Sequence, residues 1–270
     1  LEYGITHLSL VPVRSAPGDR HEQVSQLLFG EHFTILEKQS TWIKIRIAHD
    51  SYTGFIDFKQ YKTISESEFL DLESADSYFI FGPYTEIIPF SDVSKCPEDF
   101  VSDHFSDLKI LNGSVLPFFK NGICSISNEL FTVKGDITRF SPFSEKLLER
   151  FMLMYINAPY QWGGRSIYGI DCSGLTQLFS RFAGVKIPRD AADQALTGRS
   201  VLSLNDALAG DLAFFVNDAG KIIHVGILTG RETIFHASGQ VRIDKIDDLG
   251  IYNAGSKTHT HMLHSLLRIF

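Results

Sequence analysis

The chain has 270 residues, 44% hydrophobic and 21% charged, enough apolar material for two or three packed cores and too much for a disordered chain. A formal net charge of −7 argues against a nucleic-acid binder, which carries a basic excess. No run of about 18 apolar residues occurs, so no helical membrane span is expected.

Three cysteines, Cys96, Cys124 and Cys172, with no C-x-x-C pair, leave at least one thiol unpaired. They fit neither a disulfide scaffold nor a structural zinc cluster. The sequence starts at Leu1, as it would after loss of an export signal or any other cut.

In chain order, residues 1–65 read as a small β domain. Val24 and Leu27 to Phe29 run up to a turn at Gly30-Glu31, and Phe33 and Ile35 then alternate with polar neighbours. Ile43, Ile45 and Ile47 keep the period of two, and Gly54 breaks the chain before Phe55 to Phe58. Thr63 to Ser77, rich in serine and acidic residues, reads as a linker or a polar helix. Residues 78–140 read as a second meandering β domain, with turn signals at Asn112-Gly113, Asn121-Gly122 and Lys134-Gly135. Units of about 60 residues are marginal alone, so both are expected to lean on a larger partner.

The character changes over residues 141–270. Leu147, Leu148, Phe151, Met152 and Tyr155 have helical spacing, ended by Asn157-Ala158-Pro159. Leu175, Leu178, Phe179 and Phe182 fall on one face of a second helix, with Asp171 as N-cap and Gly184 as the residue after its C-terminus. Strands are expected at 210–216, 222–228, 233–237 and 263–270. Helices first and strands afterwards make this an α+β domain.

Cys172 opens the second helix, where unpaired N–H groups and the helix dipole favour a thiolate. The dipole contributes only ~0.3–1 kcal/mol, so a nucleophile at neutral pH needs a basic partner. His224 and His236 sit in adjacent strands, and a hairpin folded about Gly230 would set them opposite each other. One imidazole would act as base and the other would orient it. An inert buried cysteine beside two hydrogen-bonded histidines would show the same spacing.

Five segments decide between these readings: Ala158 to Gly164, Asp171-Cys172-Ser173-Gly174, Gly210-Asp211-Leu212, His224-Val225-Gly226-Ile227 and Ile234-Phe235-His236-Ala237. Together they resemble the NlpC/P60 family of cell-wall cysteine peptidases over roughly residues 145–270. The resemblance implies a papain-like core with Cys172 as nucleophile, His224 as general base and acid, and His236 as the orienting residue. Tyr160 matches a tyrosine that helps form the oxyanion hole with the Cys172 backbone N–H. It implies no metal and no organic cofactor.

The N-terminal half, through Gln26 to Glu31, Trp42-Ile43-Lys44 and Tyr52 to Ile56, resembles a bacterial SH3 domain. Two SH3-like β-barrels before an NlpC/P60 domain resemble γ-D-glutamyl-L-diamino acid endopeptidases, which act on murein peptides with a free N-terminal L-Ala. By that resemblance Glu22, Tyr52, Asp171 and Ser173 contact substrate. A monomer is expected, and the sequence leaves the compartment open between the cell envelope and the cytoplasm. Ala191 stands where the family often carries serine, so a substrate hydrogen bond is expected to be missing there. The alternatives are a wall-binding module with an inactive peptidase domain, or an amidase or transferase with the same chemistry.

Two clusters are expected to be structural. His259 and His261 share a strand face while His264 takes the other, which argues against three ligands on one metal. Cys124 reads as core packing, and Cys96 sits in a polar loop with nothing to activate it.

Overall fold

The period-two patterns of the N-terminal half become strands in the computed structural model, which describes residues 1–74, 77–90 and 107–270. Cys96 lies outside the described residues. Seven strands, β1 (Glu2–Ile5), β2 (Leu10–Arg14), β3 (Gln23–Leu28), β4 (His32–Gln39), β5 (Trp42–Ile47), β6 (Thr53–Asp57) and β7 (Lys62–Ile64), form one sheet in the order β3-β2-β6-β5-β4-β1-β7. Its inner face buries Val11, Val13, Leu27, Phe33 and the three alternating isoleucines of β5. Burial of each such side chain stabilises by about 1.5–3 kcal/mol relative to exposure.

Between the two expected β domains the chain forms helix α1 (Glu66–Ser74) rather than a linker. A capping box starts it: the Ser65 N–H donates to Glu68 Oε2 at 2.8 Å, and the Glu68 N–H returns to Ser65 Oγ at 3.2 Å. Leu72 is buried, and Phe69 packs on Tyr3 with ring centroids 4.4 Å apart.

Seven short strands follow: β8 (Tyr78–Ile80), β9 (Tyr84–Phe90), β10 (Leu108–Leu111), β11 (Val115–Leu116), β12 (Ile123–Ile126), β13 (Glu129–Val133) and β14 (Ile137–Thr138). They make a sheet β10-β9-β13-β12 and a sheet β11-β8-β14. Asn121 and Gly122 both take positive φ, 51° and 79°, as a two-residue hairpin turn requires. Cys124 is fully buried with Ile126 and Phe131 in a cluster that also contains Tyr3, Ile5 and Phe29. The two β segments therefore share a core, which compensates for the small size of each. At Gly30 (φ 78°) an added Cβ would stand 2.2 Å from the Val115 carbonyl oxygen, so only glycine permits this approach.

Residues 1–140 form one compact unit and residues 141–270 another. The second begins with α2 (Glu145–Tyr155), capped by Ser144, whose buried face is Leu148, Phe151 and Tyr155. Two-residue strands β15 (Arg165–Ser166) and β16 (Gly169–Ile170) lead into α3 (Cys172–Phe182), every residue of which is buried. Its N-cap is Asp171, and Gly184 (φ 79°) follows its C-terminus.

After α4 (Ala191–Gln194) come β17 (Arg199–Val201), β18 (Leu212–Val216), β19 (Ile222–Leu228), β20 (Thr233–Ser238), β21 (Gln240–Asp247), β22 (Gly250–Asn253) and β23 (Thr258–Arg268). They run β17-β23-β18-β19-β20-β21-β22, and β22 also pairs with β23, so six strands close into a barrel. Its interior holds Ala213, Phe215, Leu228, Ile234, Ile246, Ile251 and Leu266.

β21 and β22 are absent from the sequence expectation. The Ser238-Gly239 turn (Gly239 φ 72°) was their one signal. The exposed Ile243 and the charges of Lys245, Asp247 and Asp248 blur the alternation that follows it. Among the described residues no helix is long and apolar enough to cross a membrane.

Candidate active site

Helix α3, which begins at Cys172, packs on β19 and β20 of the barrel. Cys172 is buried there, and its sulfur is hydrogen-bonded by the backbone of Val225, next to His224 in β19. β19 and β20 pair only at Ile227↔Phe235 and Leu228↔Ile234. Beyond those pairs the strands are bridged by side chains, His224 Nε2 lying 2.9 Å from His236 Nδ1.

The register differs from the expected one. The hairpin is centred one residue later, on Arg231, and Thr229 N–H bonds the Thr233 carbonyl across the three residues between them. His236 therefore lies opposite Gly226, and His224 is its diagonal neighbour. The rings still meet because Gly226 has no side chain: a Cβ there would lie 2.9 Å from His236 Cβ.

The second nitrogen of His236, Nε2, lies 3.1 Å from Asp244 Oδ2, and Arg242 Nη2 donates to Asp244 Oδ1 at 2.8 Å. His261 packs on His224 with ring centroids 4.3 Å apart, and Phe215 edges both rings. Asp244 and Arg242 lie on the strand that the sequence reading missed. His261 belongs to the group set aside as structural.

A bulge explains His261. Ile251 pairs with His261 but Tyr252 with His259, leaving Thr260 as the extra residue. The bulge turns His259 and His261 to opposite faces, where a regular strand would have put them on one. His259 bonds Asp247 at 2.9 Å outside, while His261 turns to the histidine pair. Among the described residues no group of three or more His, Cys, Asp or Glu side chains is arranged to hold a metal ion.

Asp171 is nearly saturated. It accepts from Gly174 N–H at 2.7 Å and Gly163 N–H at 2.8 Å, and pairs with Arg189 through two contacts of 2.7 and 3.0 Å. Arg189 also donates to Ser173 Oγ at 2.9 Å. Both ion-pair side chains are buried, Arg189 at 1% and Asp171 at 6% exposure. Asp171 and Ser173, expected to contact substrate, thus also tie the start of α3 to the segment before α4. Ala191 is the first residue of α4.

Glu22 and Tyr52 lie in the first unit. Glu22 is exposed just before β3; Tyr52 is half-buried against the β5–β6 core and its N–H donates to Asp50 at 2.9 Å.

Burial dominates the site's electrostatics. It pushes the Cys172 thiol up to about 12, with the Asp171 charge adding to it, against pulls from Val225, Arg189 and Ser173. The helix N-terminus expected to hold the thiol low is outweighed, because desolvation of a buried thiolate exceeds what one dipole returns. His224 is held well below its ordinary value by burial and then by its histidine neighbours, and His236 is lowered to about 4, mainly by burial. Tyr160, half-buried, is raised by burial and by the nearby Cys172 and Asp171, so its hydroxyl keeps its proton.

A thiol at the start of a helix that packs on the two strands carrying a hydrogen-bonded histidine pair defines the class: a cysteine peptidase on a papain-like α+β fold. Residues 157–261 match the NlpC/P60 family and residues 13–60 the bacterial dipeptidyl-peptidase Sh3 domain. The chain is 45% identical over 230 residues to a protein of Bacillus subtilis (strain 168) named Gamma-D-glutamyl-L-lysine dipeptidyl-peptidase, covering 79% of this chain and 71% of that one. A Bacillus cereus (strain ATCC 10987 / NRS 248) protein of the same name is 25% identical over 229 residues, covering 79% and 66%. The crystal structure of an NlpC/P60 family protein from Bacillus cereus ATCC 10987 superposes with a TM-score of 0.79 at 20% identity, covering 99% of each chain, which is a likeness of fold. The chain belongs to the NlpC/P60 family of cysteine peptidases.

Proposed function

We propose that this chain is an endopeptidase that hydrolyses the γ-D-glutamyl–diamino acid bond of murein peptides carrying a free N-terminal L-Ala. The observation that carries the chemistry is the 2.9 Å contact between His224 Nε2 and His236 Nδ1 beside the buried Cys172. It leaves His224 Nδ1 as the nitrogen available to the thiol. The name of the relative at 45% identity, a γ-D-glutamyl-L-lysine dipeptidyl-peptidase, supports this choice of scissile bond.

In this reading Cys172 gives its proton to His224 as the sulfur attacks the γ-carbonyl. A thiol held near 12 in its buried setting ionises only as that proton leaves, so transfer and attack are coupled. The Cys172 N–H and the protonated Tyr160 hydroxyl take the developing oxyanion. His224 passes the proton to the departing amine, leaving L-Ala-γ-D-Glu as a thioester. Water, deprotonated by His224, then frees the acid. Glu22 and Tyr52, with Asp171 and Ser173, are assigned to the substrate's ammonium end, and the enzyme acts as a monomer.

Mass spectrometry of L-Ala-γ-D-Glu-lysine and L-Ala-γ-D-Glu-diaminopimelate digests tests this. Release of L-Ala-D-Glu from the free peptide is expected, with release of N-acetyl-L-Ala-D-Glu from the N-acetylated form at least ten times slower. Equal rates on both would remove the free-amine requirement. Wall binding without cleavage would leave only a binding module.

A further inference from the structure

The two histidines accomplish base catalysis only if their protons sit on particular nitrogens. His224 Nδ1 must carry a lone pair, so His224 Nε2 must carry the hydrogen, and His236 Nδ1 must accept it. His236 must then be protonated on Nε2. Nothing in the pair enforces this, since a neutral imidazole can hold its hydrogen on either nitrogen.

Asp244 enforces it. Its Oδ2 lies 3.1 Å from His236 Nε2, and an ionised carboxylate only accepts. Arg242 Nη2 donates to the other oxygen at 2.8 Å and fixes the carboxylate's rotation. Asp244 is 11% exposed and His236 1%, so bulk water does not replace this partner. We infer that Asp244 is a positioning residue of the peptidase site, locking both histidines in the Nε2–H tautomer so that His224 Nδ1 faces the thiol as a base. This rests on the reading of Cys172, His224 and His236 as the reacting set. The ionisable groups around His236 are His224 on β19, Arg242 and Asp244 on β21, and His261 on β23.

Asp244→Asn is the discriminating change. Arg242 donates only, so it draws the amide carbonyl to itself and turns the amide NH2 toward His236 Nε2. Two donors cannot face each other. His236 must shift its hydrogen to Nδ1, His224 Nε2 must then accept it, and His224 Nδ1 becomes protonated. Asp244→Ala leaves the tautomers free to mix. A merely structural role makes the near-isosteric asparagine milder than alanine; the tautomer lock makes it worse.

The experiment measures kcat, KM and the pH–rate profile on L-Ala-γ-D-Glu-lysine for the full chain, with 15N spectra of its histidines. For wild type at pH 7 the His236 signals should show Nε2 protonated and Nδ1 accepting; hydrogen on Nδ1 overturns the inference whether or not any variant folds. Asp244→Asn should lower kcat by roughly 10²–10⁴-fold, as expected for loss of general base catalysis, with KM changed less than threefold. Asp244→Ala should lose about 10-fold. Adding Arg242→Ala to Asp244→Asn frees the amide to rotate and should recover at least 10-fold. An asparagine variant as active as the alanine one, with unchanged histidine spectra, overturns the assignment. Cys172→Ala and His224→Ala separate the two readings: activity in either refutes the site itself, whereas dead variants alongside a mild Asp244→Asn refute only the role of Asp244.

Discussion

Replacing Arg189 with methionine should destabilise the peptidase unit through a charge rather than a cavity. The guanidinium meets the Asp171 carboxylate through contacts of 2.7 and 3.0 Å, and the two side chains are 1% and 6% exposed. Breaking such a pair from one side costs about 3–5 kcal/mol, because it strands a charge in a medium that solvates it poorly. The Gly163 and Gly174 N–H groups still reach Asp171, so the lower end, about 3 kcal/mol, is expected. Asp171→Asn alone strands the guanidinium and should cost a similar amount. The double variant strands neither charge, and an asparagine oxygen can still cap α3 through the Gly174 N–H. Its loss should therefore stay near 3 kcal/mol where additivity gives about 6. Urea unfolding of the four proteins with linear extrapolation measures the difference. Iodoacetamide labelling of native Cys172 adds a second readout: Arg189 is one of the groups pulling the thiol down, so Arg189→Met should slow labelling. Losses that add within about 0.5 kcal/mol would refute the claim that the two residues act as a buried pair.

Gly226→Ala should disable the histidine pair without touching either ring: the new Cβ would lie 2.7 Å from Ile234 Cδ1 and 2.9 Å from His236 Cβ. Overpacking of this kind costs about 1–3 kcal/mol, and kcat should fall at least tenfold; wild-type kcat would show that the close approach is not needed. Acid should weaken the fold through His236, since between pH 6.5 and about 4 the unfolded chain binds a proton that the folded chain refuses. Stability is thus complete above pH 6.5 and falls toward pH 4, by about 3 kcal/mol for this residue at ~1.36 kcal/mol per pH unit. His236→Gln should flatten that part of the urea midpoint–pH curve, and an unchanged slope would assign the acid loss elsewhere.

The local part of this protein is written in its sequence. The 3.6-residue spacing of Leu175, Leu178, Phe179 and Phe182, with Asp171 before and Gly184 after, sets α3 and leaves Cys172 in its first turn, because capping and the gathering of large apolar side chains on one face depend only on neighbours in the chain; that the opposite face is buried as well was decided by packing. The alternation in β5, set likewise by neighbours in the chain, is legible too. What gathers around Cys172 was decided by pairing between strands. The β19–β20 register places His236 opposite Gly226 instead of His224, and the bulge at Thr260 turns His261 toward the pair and His259 away. The β20–β21 pairing, with Ile234 opposite Asp244 and His236 opposite Arg242, carries Asp244 to His236 from a strand whose exposed Ile243 hid its period. A one-residue change of register sends a side chain to the other face of a sheet, and that register is chosen by the partner strand and by the closing of the barrel, neither of which leaves a mark on the residues that it moves.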